Sequence, residues 1–301
     1  MTETLAVVVV VVTHNSATHV DALLDSLPRA LYGLSYSVVV VDNGSHDATV
    51  DLVSRRTDCS LVESVNDGFA AGINRGVKSS SPSRTLLVLN PDATLDAGSG
   101  RAMLGVLERR GAGVVVPRIR SSDGELFPSL RRAPTLLRVG GLSFTGFAVF
   151  AERIDAAAFY THEHVVDWAT GAVMLIDRAC YEELGGLDES YFLYSEETDF
   201  CLRASDAGWP TVYTPDAGAM HVGGGSGRNA RTHTMQMINR VRLYRRRAGA
   251  MRAGLYLVGS VLVELRRAVL GSRASLAAVR ALVIPSARPD ELAAREHLVP
   301  R

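Results

Sequence analysis

The stretch LAVVVVVVTHN at residues 5–15 decides the fold of this 301-residue chain. Its eight consecutive apolar residues, mostly valine, show no polar alternation, which is typical of a strand buried on both faces of a parallel sheet. A helix is predicted over Thr18–Leu27, ending before Pro28. Three similar apolar runs follow along the chain: Ser37–Val41, Thr85–Leu89 and Gly113–Val116. The pattern predicts an open, mostly parallel α/β sheet flanked by helices.

Polar side chains follow the first strands of this predicted sheet, where ligands bind in open α/β folds. Asp42, in DNGSHD at 42–47, can accept hydrogen bonds from a base or ribose. Asp92, in LNPDATL at 89–95, can hold a divalent cation against the charge of a leaving diphosphate. Taken singly, each motif is explained as well by a turn, because Asp, Asn, Gly and Ser favour turns.

The loop NDGFAAGINRG at residues 66–76 is rich in small residues and runs into a predicted helix. Gly68 and Gly72 would let the backbone approach a ligand closely, and Asn74 could bond a ribose. The chain has neither GxGxxG nor GxxxxGK[ST], which argues against a nicotinamide cofactor and against a P-loop kinase.

Taken together, the motifs resemble those of family 2 glycosyltransferases, which have the GT-A fold. VVVVTHN, VDNGSHD, NDGFAAGINRG and LNPDATL stand in the order and spacing of the nucleotide-sugar-binding half. DWATGA at 167–172, GGLDESYF at 185–192 and YSEETDFCLR at 194–203 resemble the acceptor-side motifs of its rhamnosyltransferase-like branch. The resemblance spans roughly residues 5–230 and extends to DGELFPS at 123–129.

The resemblance implies a metal-dependent, inverting transfer of a sugar from a nucleoside diphosphate to an acceptor hydroxyl. The expected donor is a deoxyhexose such as L-rhamnose from dTDP-rhamnose, with galactofuranose and an N-acetylhexosamine as alternatives. The expected acceptor is a cell-wall or polysaccharide glycan, or a glycolipid linked to polyprenyl diphosphate. A catalytically inactive nucleotide- or glycan-binding module and a nucleotidyltransferase are the alternatives from other classes.

The same resemblance assigns roles to individual residues. Asp92 and His221 are expected to bind Mn²⁺ or Mg²⁺, and the glycine-rich loop after His221 is expected to close near the diphosphate. The acceptor is expected to meet Trp168, Thr170 and Gly171. The nucleotide-sugar contacts are expected from Thr13, Asn15, Asp42, Asn66, Gly68, Asn74 and Asn90.

The general base is expected on the second acid of the YSEETD motif, Glu197. Glu196 and Asp199 are the alternatives; Asp199 could instead pair with Arg203, four residues further along a helix. Ser195 suits the N-cap of that helix and Gly208 its C′ position, so acidic residues in the first turn also have a purely structural explanation.

Charge divides the chain, although the formal net charge is zero. Residues 228–301 hold 15 arginines and four acidic residues. We expect a donor half at 1–117, an acceptor half at 118–230 and a basic helical extension at 231–301, helical mostly over Met235–Leu270. Its arginines indicate either a helix packed on the catalytic domain or one that contacts an anionic membrane, and no nucleic-acid motif accompanies them.

The compartment is inferred from cysteine usage and from the lengths of the apolar runs. Three cysteines without CxxC spacing favour a reduced, cytoplasmic location, peripheral to the membrane if the extension binds it. The longest uncharged apolar run near the C-terminus, Gly254–Val263, has ten residues, and a transmembrane helix needs about 20, so none is predicted.

Overall fold

The structure, a computed structural model, describes residues 4–142, 145–223 and 229–292. Within them, nine strands form one mixed sheet and two short strands, β7 and β9, form a ribbon. The strands are β1 Leu5–Thr13, β2 Tyr36–Asn43, β3 Ser60–Ser64, β4 Ser83–Leu89, β5 Ala93–Leu95, β6 Val114–Arg120, β7 Leu130–Arg131, β8 His164–Val166, β9 Trp168–Ala169, β10 Val173–Asp177 and β11 Thr211–His221.

Helices cover both faces of the sheet and form a separate C-terminal layer. They are α1 Val20–Ala30, α2 Thr49–Ser54, α3 Phe69–Lys78, α4 Ser99–Arg110, α5 Leu136–Val139, α6 Arg178–Glu183, α7 Glu196–Asp206, α8 Ala230–Ala248, α9 Ala250–Val269 and α10 Arg273–Val283. The predicted α/β architecture, with its helical C-terminal region, is therefore confirmed.

The sheet order is β3-β2-β1-β4-β10-β6-β11-β5, with β8 paired to β11. The first four strands in this order are parallel, whereas β10 is antiparallel to both β4 and β6. Alternate valines of β1 enter different cores, because successive side chains point to opposite faces. The carboxyl ends of β1, β2 and β4 consequently lie at one edge of the sheet.

Helix α1 corrects the predicted helix end at Pro28. The proline lies inside the helix, which continues to Ala30. Pro28 removes a single N–H from the last turn, while Leu24, Leu27 and Ala30 are all buried against the sheet. Burial of this apolar face therefore outweighs the missing backbone hydrogen bond.

The C-terminal region consists of two long helices and a shorter one. Gly249, with a φ of 77°, separates α8 from α9. Their shared core includes Ile238 and Tyr256 and packs against Phe192 and Leu193, which precede α7. No helix among the described residues is long and apolar enough to cross a bilayer.

Three arginines of α8 pair with acidic residues outside the C-terminal helices. Arg240 pairs with Glu152, and Arg246 pairs with Asp188. Arg247 binds both carboxylate oxygens of Asp206 at 2.8 and 3.0 Å. These ion pairs favour the packed-helix interpretation for α8.

Candidate active site

The carboxyl ends of β1 and β2 bring Thr13, Asn15 and Asp42 together. The Thr13 hydroxyl donates to Oδ1 of Asp42 at 2.9 Å, and the backbone N–H of Ser45 donates to its Oδ2 at 2.8 Å. The backbone N–H of Asn15, a residue with a φ of 53°, donates to the Ser45 hydroxyl at 2.8 Å. The carboxylate of Asp42, only 2% exposed, is held rigidly at the edge where a nucleoside is expected.

The small residues of the 66–76 loop contact other parts of the protein, whereas the sequence predicted contacts with a ligand. A Cβ on Gly68, whose φ is 102°, would lie 2.5 Å from the carbonyl oxygen of Phe192. The side chain of Asn66 accepts a hydrogen bond from the N–H of Gly68 at 3.2 Å. Gly72 packs against Val12. The small residues thus permit close packing of protein on protein, and no ligand is needed to explain them.

Asn74 has protein partners for its whole amide group. Its Oδ1 accepts from the Tyr181 hydroxyl at 2.6 Å and from the Leu187 N–H at 3.0 Å. Its Nδ2 donates to the Leu187 carbonyl at 2.8 Å and to Glu189 at 2.9 Å. Asn74 joins α3 to the turn before α7, which corrects its assignment as a ribose contact.

Asp92 and His221 meet beyond the end of β4, although 129 positions separate them in the sequence. Nε2 of His221 lies 3.1 Å from Oδ1 of Asp92, and the N–H of Gly223 donates to Oδ2 at 3.1 Å. Burial alone would raise the pKa of Asp92, but the hydrogen bond and charge of His221 outweigh it and hold that pKa below its ordinary value. Nδ2 of Asn90 is 3.5 Å from the same imidazole nitrogen.

This pair suits a divalent cation whose remaining ligands come from substrate. Two ligand atoms about 2.1 Å from one cation and at right angles lie about 3 Å apart, which is close to the observed spacing. Nδ1 of His221 is buried without a hydrogen-bond partner among the described residues. No group of three His, Cys, Asp or Glu side chains suited to a cation occurs within 4–142, 145–223 and 229–292. Residues 224–228 of the predicted closing loop lie outside the described residues.

A left-handed turn presents the acidic residues at the start of α7. Tyr194 and Ser195 have φ values of 69° and 77°, which is uncommon outside glycine. Ser195 is the N-cap by position, but its hydroxyl makes no capping hydrogen bond. Gly208, with a φ of 88°, stands at the predicted C′ position. Strain at the entry to the helix is a recurring property of functional turns.

Glu197 lines a pocket of about 90 Å³ together with Arg131, Trp168 and Arg240. Its Oε2 is buried and has no hydrogen-bond partner in the described structure. Burial raises the pKa of Glu197, while backbone N–H groups at the helix start and the charge of Arg131 only partly oppose that rise. A carboxylate with a raised pKa and a free oxygen suits a general base.

Glu196 and Asp199 lie away from this pocket. Glu196 is 4% exposed, and burial together with the neighbouring charge of Glu197 raises its pKa well above the ordinary value. Asp199 accepts a hydrogen bond from Nε of Arg203 at 2.7 Å and lines a separate surface cavity. The structure therefore brings only Glu197, of the three acidic candidates, to the pocket.

Two of the three residues predicted to contact the acceptor, Trp168 and Gly171, lie beside Glu197. A Cβ on Gly171 would lie 3.3 Å from the Cβ of Glu197. The indole N–H of Trp168 donates to the carbonyl of Arg132 at 3.0 Å, so its ring is fixed as a pocket wall. The Thr170 hydroxyl is buried without a hydrogen-bond partner among the described residues.

Comparisons of the chain with known proteins agree on one family. Residues 8–167 match the model of glycosyl transferase family 2. The chain is 32% identical over 240 residues to an N-acetylglucosaminyl-diphospho-decaprenol L-rhamnosyltransferase of Mycobacterium tuberculosis, covering 73% of this chain and 76% of the relative. It is 30% identical over 173 residues to the low-salt glycan biosynthesis hexosyltransferase Agl10 of Haloferax volcanii, covering 55% and 52%.

The chain is a family 2 glycosyltransferase.

Solved structures support the GT-A fold of this glycosyltransferase. GalNAc-T7 with UDP, GalNAc and Mn²⁺ aligns with a TM-score of 0.60 at 14% identity, over 81% of this chain and 48% of that chain. Residues 1–349 of S. aureus TarS in complex with UDP-GlcNAc align with a TM-score of 0.55 at 15% identity, over 98% and 84%. The predicted membership in a GT-A family, with its rhamnosyltransferase-like branch, is confirmed.

Two pocket residues of the glycosyltransferase escaped the sequence analysis. Arg131 lies 5.9 Å from the ring centroid of Trp168, and Arg240 reaches the pocket from α8. Neither residue belongs to a motif, and Arg240 stands in a run of arginines that resembles a solvated face. Their positions in the sequence do not indicate that they lie near Glu197, because tertiary packing alone brings these residues together.

Proposed function

We propose that this glycosyltransferase moves L-rhamnose from dTDP-L-rhamnose to a hydroxyl of an N-acetylglucosaminyl-diphospho-polyprenol, with inversion at the anomeric carbon. The M. tuberculosis relative, an N-acetylglucosaminyl-diphospho-decaprenol L-rhamnosyltransferase, supports the sugar and the acceptor. The DGELFPS segment adds to this support, because the ring of Phe127 packs edge-on against His221 with centroids 5.8 Å apart. This segment therefore borders the pair expected to hold the diphosphate.

The position of Glu197 in the wall of the pocket, with an Oε2 that has no hydrogen-bond partner among the described residues, carries the proposed mechanism. Glu197 accepts the proton of the acceptor hydroxyl while that oxygen bonds to the anomeric carbon. The bond from this carbon to the diphosphate oxygen breaks on the opposite face, and the nucleoside diphosphate leaves with the electron pair. A single displacement of this geometry inverts the configuration. Arg131 helps to keep Glu197 ionised when the acceptor is absent.

The donor is held by the opposite side of the site. The network around Asp42 binds the nucleoside, and Asp92 with His221 would hold a divalent cation, Mn²⁺ or Mg²⁺. When bound, the cation supplies positive charge against the leaving diphosphate. A polyprenyl-linked acceptor would locate the enzyme on the cytoplasmic face of the cell membrane.

A screen of nucleotide sugars tests the proposal. Purified protein is incubated with each donor, Mn²⁺ or Mg²⁺, and a short-chain polyprenyl-diphosphate N-acetylglucosamine, and the released nucleoside diphosphate and the glycolipid product are measured. Transfer from dTDP-L-rhamnose, absent in Glu197→Gln, supports the proposal. If a galactofuranose or N-acetylhexosamine donor is preferred, the proposed donor sugar is wrong. If no donor supports transfer, an inactive binding module is favoured.

A further inference from the structure

The outward face of α9 is an exposed apolar stripe. Six side chains recur at alternating spacings of four and three residues and are 44% to 84% exposed: Met251, Leu255, Val258, Leu262, Leu265 and Val269. The opposite face of α9, which includes Tyr256 and Glu264, is buried against α8 and α10. At 1.5 Å per residue, the stripe is about 27 Å long.

Such a stripe is unlike the scattered apolar residues of an ordinary surface, and contiguous exposed patches mark interaction sites. Its borders are basic. Arg252 and Arg266 directly follow Met251 and Leu265, and Arg273 and Arg280 are exposed on α10. The sole acidic residue in the described segment 249–289 is Glu264, which is 1% exposed and paired with His233 and Arg267.

The charge around the stripe distinguishes between two partners for this face, a second copy of the chain and an anionic membrane. If a second copy packed its α9 against this face, arginines would meet arginines, with no exposed acidic residue of the segment to compensate. An anionic lipid surface offers both an apolar layer for the stripe and negative charge for its borders. We propose that the outward face of α9 lies in the interfacial layer of an anionic membrane and docks the enzyme there.

The position of α5 connects this face to the pocket of Glu197. Pro134 lines the pocket, and α5 begins two residues later. A Cβ on Gly259 would meet Val139 at 2.9 Å, so α5 packs directly on the backbone of α9. Leu137 and Leu142, in and after α5, are 54% and 41% exposed. A lipid-linked acceptor, which rests on the proposed function, would thus approach from the surface that α9 docks on.

The test is flotation of the full chain with vesicles of equimolar phosphatidylcholine and phosphatidylglycerol, or of phosphatidylcholine alone. We expect binding to the anionic vesicles, weakened by salt. Leu255→Gln/Leu262→Gln should reduce that binding roughly tenfold or more, since two apolar side chains leave the bilayer. Arg252→Gln/Arg273→Gln should reduce binding to anionic vesicles by a similar factor. Tyr32→Gln/Val165→Thr, which also alters two exposed apolar residues elsewhere, is the matched control and should bind as the wild type.

Transfer to a water-soluble, short-chain acceptor without lipid is measured in parallel. None of the substituted residues lines the pocket, so this activity should remain unchanged in every variant. If transfer fails while docking is observed, the proposed function is wrong and the docking surface stands. Absence of vesicle binding by the wild type, or unchanged binding by the leucine variant, would overturn the membrane proposal. A concentration-dependent dimer that the leucine variant abolishes would overturn it in favour of a second copy.

Discussion

At the scale of single residues, two neighbouring glutamates have different surroundings. Oε2 of each glutamate is buried without a hydrogen-bond partner among the described residues, but Glu197 lines the pocket, whereas Glu196 is only 4% exposed and does not. Burial raises the pKa of both carboxyls, and the charge of Glu197 raises that of Glu196 further. The two side chains are adjacent in sequence, and they leave the left-handed turn at Tyr194 and Ser195 in different directions, so that only Glu197 lines the pocket.

Glu197→Gln keeps the size of the side chain but cannot accept a proton. We expect turnover to fall about 100-fold or more with donor affinity nearly unchanged, the usual effect of losing a general base. Glu196→Gln should do much less, because a glutamine resembles the neutral form that burial favours. Steady-state rates and donor binding by calorimetry measure both. A dead Glu196→Gln with an active Glu197→Gln would mean that the assignment of the base is shifted by one residue.

The activity of the wild type should also depend on pH through Glu197. The base must be ionised, and a raised pKa moves the loss of activity on acidification to higher pH than for an ordinary glutamate. We expect kcat/KM to fall with decreasing pH along a limb whose midpoint lies above about 4.3. A limb centred at or below that value, measured with enzyme that remains folded, would contradict the buried base.

Asp92→Asn removes one charge beside His221 while preserving side-chain size. We expect turnover to fall roughly 100-fold or more, because the charge that would hold a cation against the diphosphate is lost. Asp96→Asn is the matched control: Asp96 is a half-exposed partner of Arg120, and such surface pairs contribute little. Thermal unfolding checks that both variants fold. Full wild-type activity in excess chelator would contradict the metal assignment.

At the scale of elements, α8 supports the turn that precedes the base. Asn239, fully buried, donates from Nδ2 to the carbonyls of Leu193 and Tyr194 at 2.9 and 3.0 Å. These carbonyls belong to the strained entry of α7. The C-terminal layer therefore takes part in positioning Glu197 and does more than cover the catalytic body.

Asn239→Ala tests this support. We expect the free energy of unfolding to fall by about 1–3 kcal/mol, because two partly buried carbonyls lose their donor. We also expect kcat to fall roughly tenfold with donor affinity retained, since a small displacement of a catalytic group slows the reaction. Denaturant unfolding and steady-state kinetics measure the two effects. Loss of stability without loss of kcat would limit Asn239 to a structural role.

Glu264 connects the three C-terminal helices. Its carboxylate meets His233 of α8 at 2.7 Å. Burial opposes its ionisation, but hydrogen bonds from His233 and from Ser275 of α10, with nearby positive charge, lower its pKa to about 2. A depressed folded-state pKa stabilises the fold above the unfolded value, and this contribution disappears as the pH falls through the folded value.

Glu264→Gln should therefore lower the free energy of unfolding by about 2–3 kcal/mol near neutral pH. The difference between variant and wild type should shrink as the pH falls from about 5 to about 2, because the wild-type carboxyl is then protonated too. Denaturant unfolding across this range measures the difference. A gap that does not change with pH would mean that packing, rather than the charge of Glu264, connects the helices.

At the scale of the whole molecule, the C-terminal helices and the sheet share buried surface. The α8–α10 core includes Ile238 and packs on Leu136, Val139, Phe192 and Leu193. A chain ending at residue 230 would expose this surface and lose the ion pairs of Arg240, Arg246 and Arg247. We expect it to aggregate or to unfold well below the full chain. Circular dichroism and calorimetry of the full chain should show one cooperative transition, and two separate transitions would contradict the shared core.

The sequence by itself determined the α/β class, four strands of the sheet, the family and the order of the motifs. Strand and helix periodicities are local, so Leu5–Thr13 reads as a buried strand without knowledge of its partners. Strand ends follow from the same patterns, which is why Thr13, Asp42 and Asp92 were identified as belonging to one edge. Glu197 was identified because its motif is contiguous along the chain.

Only the tertiary structure decided where the remaining side chains act. The sequence assigned Asn74 to a ligand, but its amide meets Leu187 and Glu189, more than 100 positions away. The sequence left a packed helix and a membrane contact open for the arginines of α8, and only the structure shows that three of them pair with acidic residues far away in the chain. The apolar face of α9 became recognisable once the packed side of the helix was known. Amphipathic patterns show that a helix has two faces, whereas the partners of each face depend on contacts between residues far apart in the chain.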